Sequence, residues 1–312
     1  MAYLQDAKDF IASQVFPRVP VQKQADRYAV YDKRYWFQAR SQKRAPATES
    51  VGIGYKVNTA PTYFCDEWAV HKDIPYEDYV NADDYLKPDT DAVNLCTRHN
   101  LLAMERQFFA TYLQKGVWQG FRRQGQIGDF SVQEDGQGYW DSPTSDPAAD
   151  IDRLKLNIKR GTGQDGNVLV LGQSVYYALR SHPAVKDVFK YTRPGIIDAQ
   201  LLTAVFGVPK VLVAGAVMDT SANDLGDASL DFLTDNDVLL VHAPDNAGLQ
   251  VPTGGYIFDW VAAPGSGGLN SVVATYDMPL VRAKRVEAMM NFDMRIVGPD
   301  LGIFCPKVLE KA

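Results

Sequence analysis

Two stretches rich in strand-forming aromatic residues, 28–37 and 54–64, flank a basic segment, and they constrain the fold more than any other feature of the sequence. The first holds Tyr28, Val30, Tyr31, Tyr35, Trp36 and Phe37; the second holds Tyr55, Val57, Thr59, Tyr63 and Phe64. Between them lie Arg40, Lys43 and Arg44, then Ala45-Pro46. Strands of about ten residues joined by such a tip make an arm about 30 Å long, at about 3.3 Å per residue. A two-stranded ribbon is marginal in water. It needs a covering surface, either from the rest of the chain or from a partner molecule.

Upstream, Val15-Phe16-Pro17-Arg18-Val19-Pro20-Val21 carries two prolines. Each fixes its own φ and turns the preceding residue away from the α region, so the run is extended and short of N–H donors. It suits lying across another surface better than a place in a central strand.

Pro88-Asp89 opens a helix expected to end near Gly116, with Asp89 or Asp91 as its cap. Leu95, Leu101, Leu102, Phe108, Phe109 and Tyr112 recur at helical spacing. At 1.5 Å per residue this is a rod of about 37 Å, against a mean helix of about 11–12 residues. Residues 116–142, rich in glycine and glutamine, read as a long loop. Ser145-Asp146-Pro147 starts a second helix, with Ala148, Ile151, Leu154 and Ile158 on one face and Gly161 beyond its end.

Short apolar strands and helices then alternate: strand 167–172, helix 173–180, helix 198–206 stopped by Gly207, and strands 211–215 and 238–241. Residues 218–236 and 261–270 read as acidic or glycine-rich loops. Near the end Val286, Ala288, Met290, Phe292 and Met294 alternate as on a half-buried strand. For 312 residues about two domains are expected. A middle set between a long helix and a returning strand is the order of a discontinuous domain.

The net charge of −6 speaks against a uniformly basic nucleic-acid-binding surface. No stretch approaches the roughly 18–20 apolar residues that span a bilayer, and Met1-Ala2-Tyr3-Leu4-Gln5-Asp6 has no signal-peptide pattern. Cys65, Cys96 and Cys305 are too scattered for a disulfide framework or a zinc pattern. They read as inert buried thiols of a protein made in a reducing cytoplasm.

No constellation for chemistry emerges. Gly172-Gln173-Ser174-Val175-Tyr176 approaches a nucleophile elbow but lacks its second glycine, so Ser174 reads as a helix N-cap. Gly52-Ile53-Gly54 and Gly161-Thr162-Gly163 read as turns. His71, His99, His182 and His242 have no paired zinc spacing. His182 suits a helix end before Pro183, and the His71/Asp73 pair suits a structural hydrogen bond. Glu77, Asp78, Asp83, Asp84, Asp89 and Asp91 do not follow the spacing of a calcium loop and read as a solvated, helix-capping acidic face. The basic tip could stack on single-stranded nucleic acid; a solvated end or a protein contact is the commoner use. No catalytic, cofactor or metal residue is assigned.

In this order the segments resemble the major coat proteins of tailed phages, with a Hong Kong 97-like fold. The resemblance covers nearly the whole chain. Its markers are the 15–21 run, Arg44-Ala45-Pro46, Gly54-Tyr55, His71-Lys72-Asp73-Ile74-Pro75, Leu169-Val170-Leu171-Gly172, His182-Pro183, Lys190-Tyr191-Thr192, Leu202 through Phe206-Gly207, Arg285-Val286-Glu287 and Leu301-Gly302. No single marker is specific; their joint order carries the resemblance.

It implies an α+β coat-protein fold: an N-terminal arm (1–27), an extended β-hairpin arm (28–65), a discontinuous peripheral domain with a long spine helix (66–164 and 273–312), and an axial domain (165–272). It further implies a homo-oligomer of pentamers and hexamers in an icosahedral virion capsid. Such a shell encloses double-stranded DNA without sequence-specific binding and meets a portal and scaffolding or decoration proteins. A mildly acidic subunit suits a genome that need not be gripped. The candidate assembly contacts are Phe16, Pro17, Pro20, Tyr35, Trp36, Arg40, Lys43, Arg44, Tyr55 and Tyr63.

Because the arm-like run begins so near Met1, a separate scaffolding protein, or none, and no large maturation cleavage are expected. The alternatives are the shell of a bacterial encapsulin-type nanocompartment, which shares the fold, and an enzyme or surface-binding protein.

Overall fold

The computed structural model of the chain describes residues 7–83, 86–121, 127–189, 199–221, 229–248, 250–263 and 271–310. Asp84, the Lys190-Tyr191-Thr192 marker, Asp198 and the first six residues lie outside the described residues.

Val168–Gly172, Lys210–Ala214, Val238–Val241 and Gly302–Cys305 form a four-stranded sheet in the order 302–305, 238–241, 168–172, 210–214. Strands 168–172 and 210–214 pair in parallel, which demands a crossover, and the helices Gln173–Ser181, Pro183–Phe189 and Ala199–Phe206 lie within it. Leu169, Leu171, Val238, Leu240 and Ile303 face one core, while Val168, Val170, Leu239, Val241 and Phe304 face another. Burial on both faces is why these strands are written as unbroken apolar runs.

The first core is completed by Ile151, Leu154 and Ile158 of the helix Pro147–Thr162, and by Trp140, Val175, Leu179 and Phe206. Asp146 caps that helix, accepting from the backbone N–H groups of Ala148 and Ala149 at 3.1 and 3.2 Å. The helix runs through Gly161 and stops at Gly163, whose φ of 71° supplies the left-handed turn. Gly161 is therefore inside the helix; a Cβ there would come within 2.6 Å of the Phe121 ring.

The second core lies between the two sheets. Met104, Phe108 and Tyr112 of the long helix Pro88–Tyr112 meet Trp118 and the N-terminal Ile11, Val15 and Phe16, with Ile257, Met290 and Phe292 from the larger sheet. That sheet is organised on Ala283–Ile296. One edge pairs antiparallel with Asp66–Pro75, from Phe292↔Asp66 to Ala283↔Pro75. The other edge is shared by Ser271–Met278 and Gly255–Trp260. The expected alternation holds: Val286, Ala288, Met290, Phe292 and Met294 are buried.

The long helix ends at Tyr112, four residues short of Gly116, and of the expected stripe it buries Phe108, Phe109 and Tyr112 but not Leu95, Leu101 or Leu102. Leu95 is 47% exposed, and the buried positions are Ala92, Cys96, Asn100, Met104, Glu105, Phe108, Phe109 and Tyr112. Small residues at 92 and 96 lie over the sheet, and the Asn100 side-chain amide donates to the Ala288 carbonyl at 2.9 Å. Neither Asp89 nor Asp91 caps the helix. Asp89 accepts instead from the Tyr79 hydroxyl at 2.7 Å and pairs with Lys284 at 3.0 Å. Ser174 is likewise no cap: its backbone N–H donates to Asp235 at 3.0 Å, and Gly172 stands at the cap position.

The proline-marked run packs on its own chain. Ala12–Val15 is a short helix, and Arg18–Val21 is an edge strand running parallel to Gly255–Trp260. Pro20 sits exposed on this edge strand, a place that tolerates a residue without an N–H.

The two cores also cut across the expected boundaries at 164/165 and 272/273. Pro147–Thr162 and Gly302–Cys305 pack with the four-stranded sheet, whereas Gly255–Trp260 belongs to the sheet of Ala283–Ile296. Strand pairing joins segments that chain order separates.

Candidate assembly interface

The arm is real but its ladder is short. Ala25–Arg27 pairs antiparallel with Thr62–Phe64, and Val30–Tyr31 with Val57–Asn58. Lys33–Tyr35 is a 3-10 turn in place of the expected strand, and 36–56 form no regular strand or helix. The root has support. The Tyr63 ring stacks on Phe258 at 4.5 Å and 14°, Tyr28 lies 5.3 Å from the same ring, and the Phe64 N–H donates to Asp293 at 2.9 Å. Cys65 is buried here, and loss of water pushes its thiol up to about 12. Farther out that support ends, and a two-stranded ribbon without it does not extend itself.

The middle of the arm leans on the body at two places. Lys33 forms an ion pair with Asp300 and reaches the Gly161 carbonyl at 3.4 Å. Phe37 lies against Gly163, where a Cβ would stand 3.1 Å from its ring. Between arm and body runs a groove of about 460 Å³, with Tyr31, Trp36 and Phe37 on one wall and Pro252, Tyr256 and Leu301 on the other. Trp36 is nevertheless 58% exposed and Ile53 77% exposed.

The ten sequence candidates fall into two groups. Phe16, Pro17 and Tyr63 are buried in the chain itself. Phe16 sits among Tyr112, Phe108 and Trp118, at 4.5 Å from the first and 6.2 Å from the other two. Pro20, Trp36, Arg40, Lys43, Arg44 and Tyr55 are exposed, and Tyr35 is half-buried. Arg40, Lys43 and Arg44 make no ion pair among the described residues. Among the described residues nothing brings the N-terminal candidates and the arm tip together.

Two structural carboxylates escaped the sequence reading. Glu105, fully buried, accepts from the Ile11 and Ala12 N–H groups at 3.0 and 2.8 Å, and so fastens the N-terminal segment to the long helix. Burial pushes its carboxyl up to about 7, against the opposing pull of the two N–H groups. Its signal was its place four residues before Phe109, on the core side of a helix. Asp150, also fully buried, accepts from the Trp140 indole N–H at 3.0 Å and so holds Trp140 on the helix; burial raises its carboxyl too.

The remaining polar candidates are structural. His182 is buried, with Nε2 2.9 Å from the Ser142 carbonyl and Nδ1 accepting from Ala184 N–H at 3.2 Å. Asp73 pairs twice with Arg285, at 2.7 and 2.9 Å, and not with His71. Among the described residues no three His, Cys, Asp or Glu side chains converge as metal ligands. No helix there is long and apolar enough to cross a membrane.

The profile of the phage major capsid protein E family matches residues 128–291, more than half of the 312-residue chain. The major capsid protein of Burkholderia phage BcepMu is 34% identical over 73 residues; the match spans 23% of this chain and 24% of that relative's length. Among solved structures, a phage-related protein of Bordetella bronchiseptica RB50 superimposes with a TM-score of 0.73 at 21% identity, over 99% of this chain and 95% of that one. The SrpI encapsulin of Synechococcus elongatus PCC 7942 does so with a TM-score of 0.57 at 10% identity, over 100% and 94%. Likeness at these identities establishes the fold, which phage capsid subunits share. What the profile adds is descent: this chain belongs to the phage major capsid protein E family.

Proposed function

We propose that the chain assembles through rings of five and six into the icosahedral shell of a tailed phage and encloses its double-stranded DNA. The observation that carries this is the arm. Its root is fixed by aromatic stacking, and its outer part presents to solvent apolar side chains and cations that make no ion pair among the described residues. A surface of that kind is stable when a neighbouring subunit covers it, and obligate interfaces bury about 2,000 Å² or more. Heterologous contacts close when rotation and curvature agree, as in rings.

On this reading Pro20, Tyr35, Trp36, Arg40, Lys43, Arg44 and Tyr55 are contact residues. Phe16, Pro17 and Tyr63 act from within, by fixing where the arm and the edge strand leave the body. The working surface is the contact between copies, so the protein is a structural subunit and not an enzyme. It is made in the host cytoplasm and meets a portal, with scaffolding or decoration proteins. The body divides by its two sheets more naturally than at 164/165 and 272/273.

Expression of the full chain, alone and with its gene neighbours, followed by electron microscopy, tests the proposal. Closed particles or five- and six-membered rings are expected. A monomer under every condition would overturn it. DNA in particles made during infection is the expected content, and packaged enzyme cargo would favour the nanocompartment reading.

A further inference from the structure

The chain is acidic as a whole, yet one stretch of it is not. Between Asp91 and Asp129 stand five Lys or Arg residues and a single acid, Glu105. Glu105 is turned onto the Ile11 and Ala12 N–H groups and fully buried. Beyond Asp91 the long helix Pro88–Tyr112 therefore shows solvent no carboxylate. Its uncovered side carries Asn94, Arg98, His99, Arg106 and Gln107, exposed or half-buried and all able to donate hydrogen bonds. Ala103 and Ala110 stand among them and leave the backbone approachable.

Arg98, Leu102 and Arg106 follow one another at i, i+4 and i+8, so the two guanidinium groups share one stripe. They stand about 12 Å apart along the axis, at 1.5 Å per residue. The major groove of B-DNA is ~12 Å wide, so both can reach phosphates of one duplex. Arg106 makes no ion pair among the described residues.

The other side of the larger sheet has the opposite character. Strand alternation sets Glu67, Asp73, Glu287 and Asp293 there, on the side of the arm root. Arg285 and Arg295 on that side are tied to Asp73 and Asp293, at 2.7 Å each. A polyanion is repelled by that side and attracted by the helix. Among the described residues Leu95 is the one large apolar side chain exposed on the helix, too little for the apolar centre of a protein contact. Donors without acids suit phosphate oxygens, which Arg, Asn and Gln side chains commonly bind.

We infer that the uncovered face of the long helix, centred on Arg98 and Arg106, holds the phosphate backbone of the packaged duplex without reading its sequence. The inference rests on the shell reading above and adds a place where an otherwise acidic subunit grips its genome.

The test follows the fluorescence anisotropy of a short duplex of mixed sequence with the full-length, unassembled chain, between about 50 and about 200 mM salt. Each lost phosphate contact lowers the slope of log K on log salt by about 0.9. Arg98→Gln with Arg106→Gln is expected to lower it by about 1.8. Arg98→Lys with Arg106→Lys keeps the charge and is expected to keep the slope. Glutamine and lysine are both good helix formers, and unfolding temperatures check that the fold is kept. An unchanged slope in the glutamine pair overturns the inference, as does a wild-type chain without salt-dependent binding. So does a slope that falls instead with Arg40→Gln, Lys43→Gln and Arg44→Gln, because the phosphate contacts then lie on the arm. If the glutamine pair keeps the slope but loses particles when expressed with its gene neighbours, the face receives an acidic protein segment and the inference is again overturned. The shell reading is judged separately by electron microscopy. Wild-type particles keep it whatever the slope, and a wild-type chain that stays monomeric removes both.

Discussion

Two segments of this chain look like arms in the sequence, and the body treats them differently. The 15–21 run finds everything it needs at home: an aromatic socket for Phe16, a strand to pair with, and the Glu105 carboxylate for two N–H groups. The 28–64 arm finds support at its root and, at its middle, from Lys33 on Asp300 and Phe37 on Gly163, while residues 38–56 stay exposed. The difference lies in the body. A buried carboxylate and a ring of aromatics make a receptor for the first, and no equivalent covers residues 38–56, which are exposed throughout. An extended apolar run therefore becomes an interface only where its own chain lacks the socket.

The sharpest way to break this contrast is to truncate one aromatic in each segment. Phe16→Ala leaves a cavity among Phe108, Tyr112 and Trp118 and is expected to cost about 3–5 kcal/mol in urea unfolding. Trp36→Ala, at an exposed position, should change monomer stability by less than about 0.5 kcal/mol while lowering particle yield. Equal losses of stability would erase the distinction between the segments.

Glu105 supplies the next largest effect, with a defined sign. Its folded-state value of about 7 lies above the ordinary 4.5, so the folded protein holds this proton more tightly than the unfolded chain. The associated stability is fully present below about 4.5, falls as pH rises, and is gone above about 7, a change of roughly 3 kcal/mol at one unit per 1.36 kcal/mol. Glu105→Gln should flatten this contribution, seen as the difference between wild-type and variant unfolding curves across pH 4–8. Glu105→Ala instead orphans two buried N–H groups, at about 1–3 kcal/mol each. Parallel pH profiles for wild type and the glutamine variant would show that the carboxylate does not titrate in this window.

Gly163 joins the two regions, because it ends the helix Pro147–Thr162 and faces Phe37. Gly163→Ala forces a side chain into a φ of 71° and crowds the ring, so a loss of about 1–2 kcal/mol is expected in thermal unfolding. An unchanged midpoint would mean that neither constraint matters.

Much of this fold was legible because its signals are local. Continuous apolar runs at 168–171 and 238–241 announced strands buried on both faces, and Asp146-Pro147 announced a helix start. Alternation from Val286 to Met294 announced the central strand of the larger sheet. What escaped depends on partners distant in sequence. Leu95 and Cys96 are equally apolar neighbours, and only the position of the sheet decides which is buried. Asp235 reaches the helix at Ser174 across 61 residues, and Glu105 reaches Ala12 across 93. The arm was visible as a hairpin; the length of its ladder was not, because that is set by where Phe258 and Asp293 stop supporting it.

The smallest effect probes how firmly the arm is held at its middle. Lys33 and Asp300 pair at the surface, so Lys33→Ala should alter global stability by less than about 1 kcal/mol. Among the described residues the pair shares the middle of the arm with Phe37 on Gly163. Its loss should raise amide exchange at 33–37 while leaving Ala25–Arg27 and Thr62–Phe64 protected by their own ladder and by Tyr63 on Phe258. If exchange rises equally at the root, the arm moves as one body and its rigid part ends at the sheet. If it rises at neither place, Phe37 on Gly163 is sufficient to set the angle and the ion pair is incidental to it.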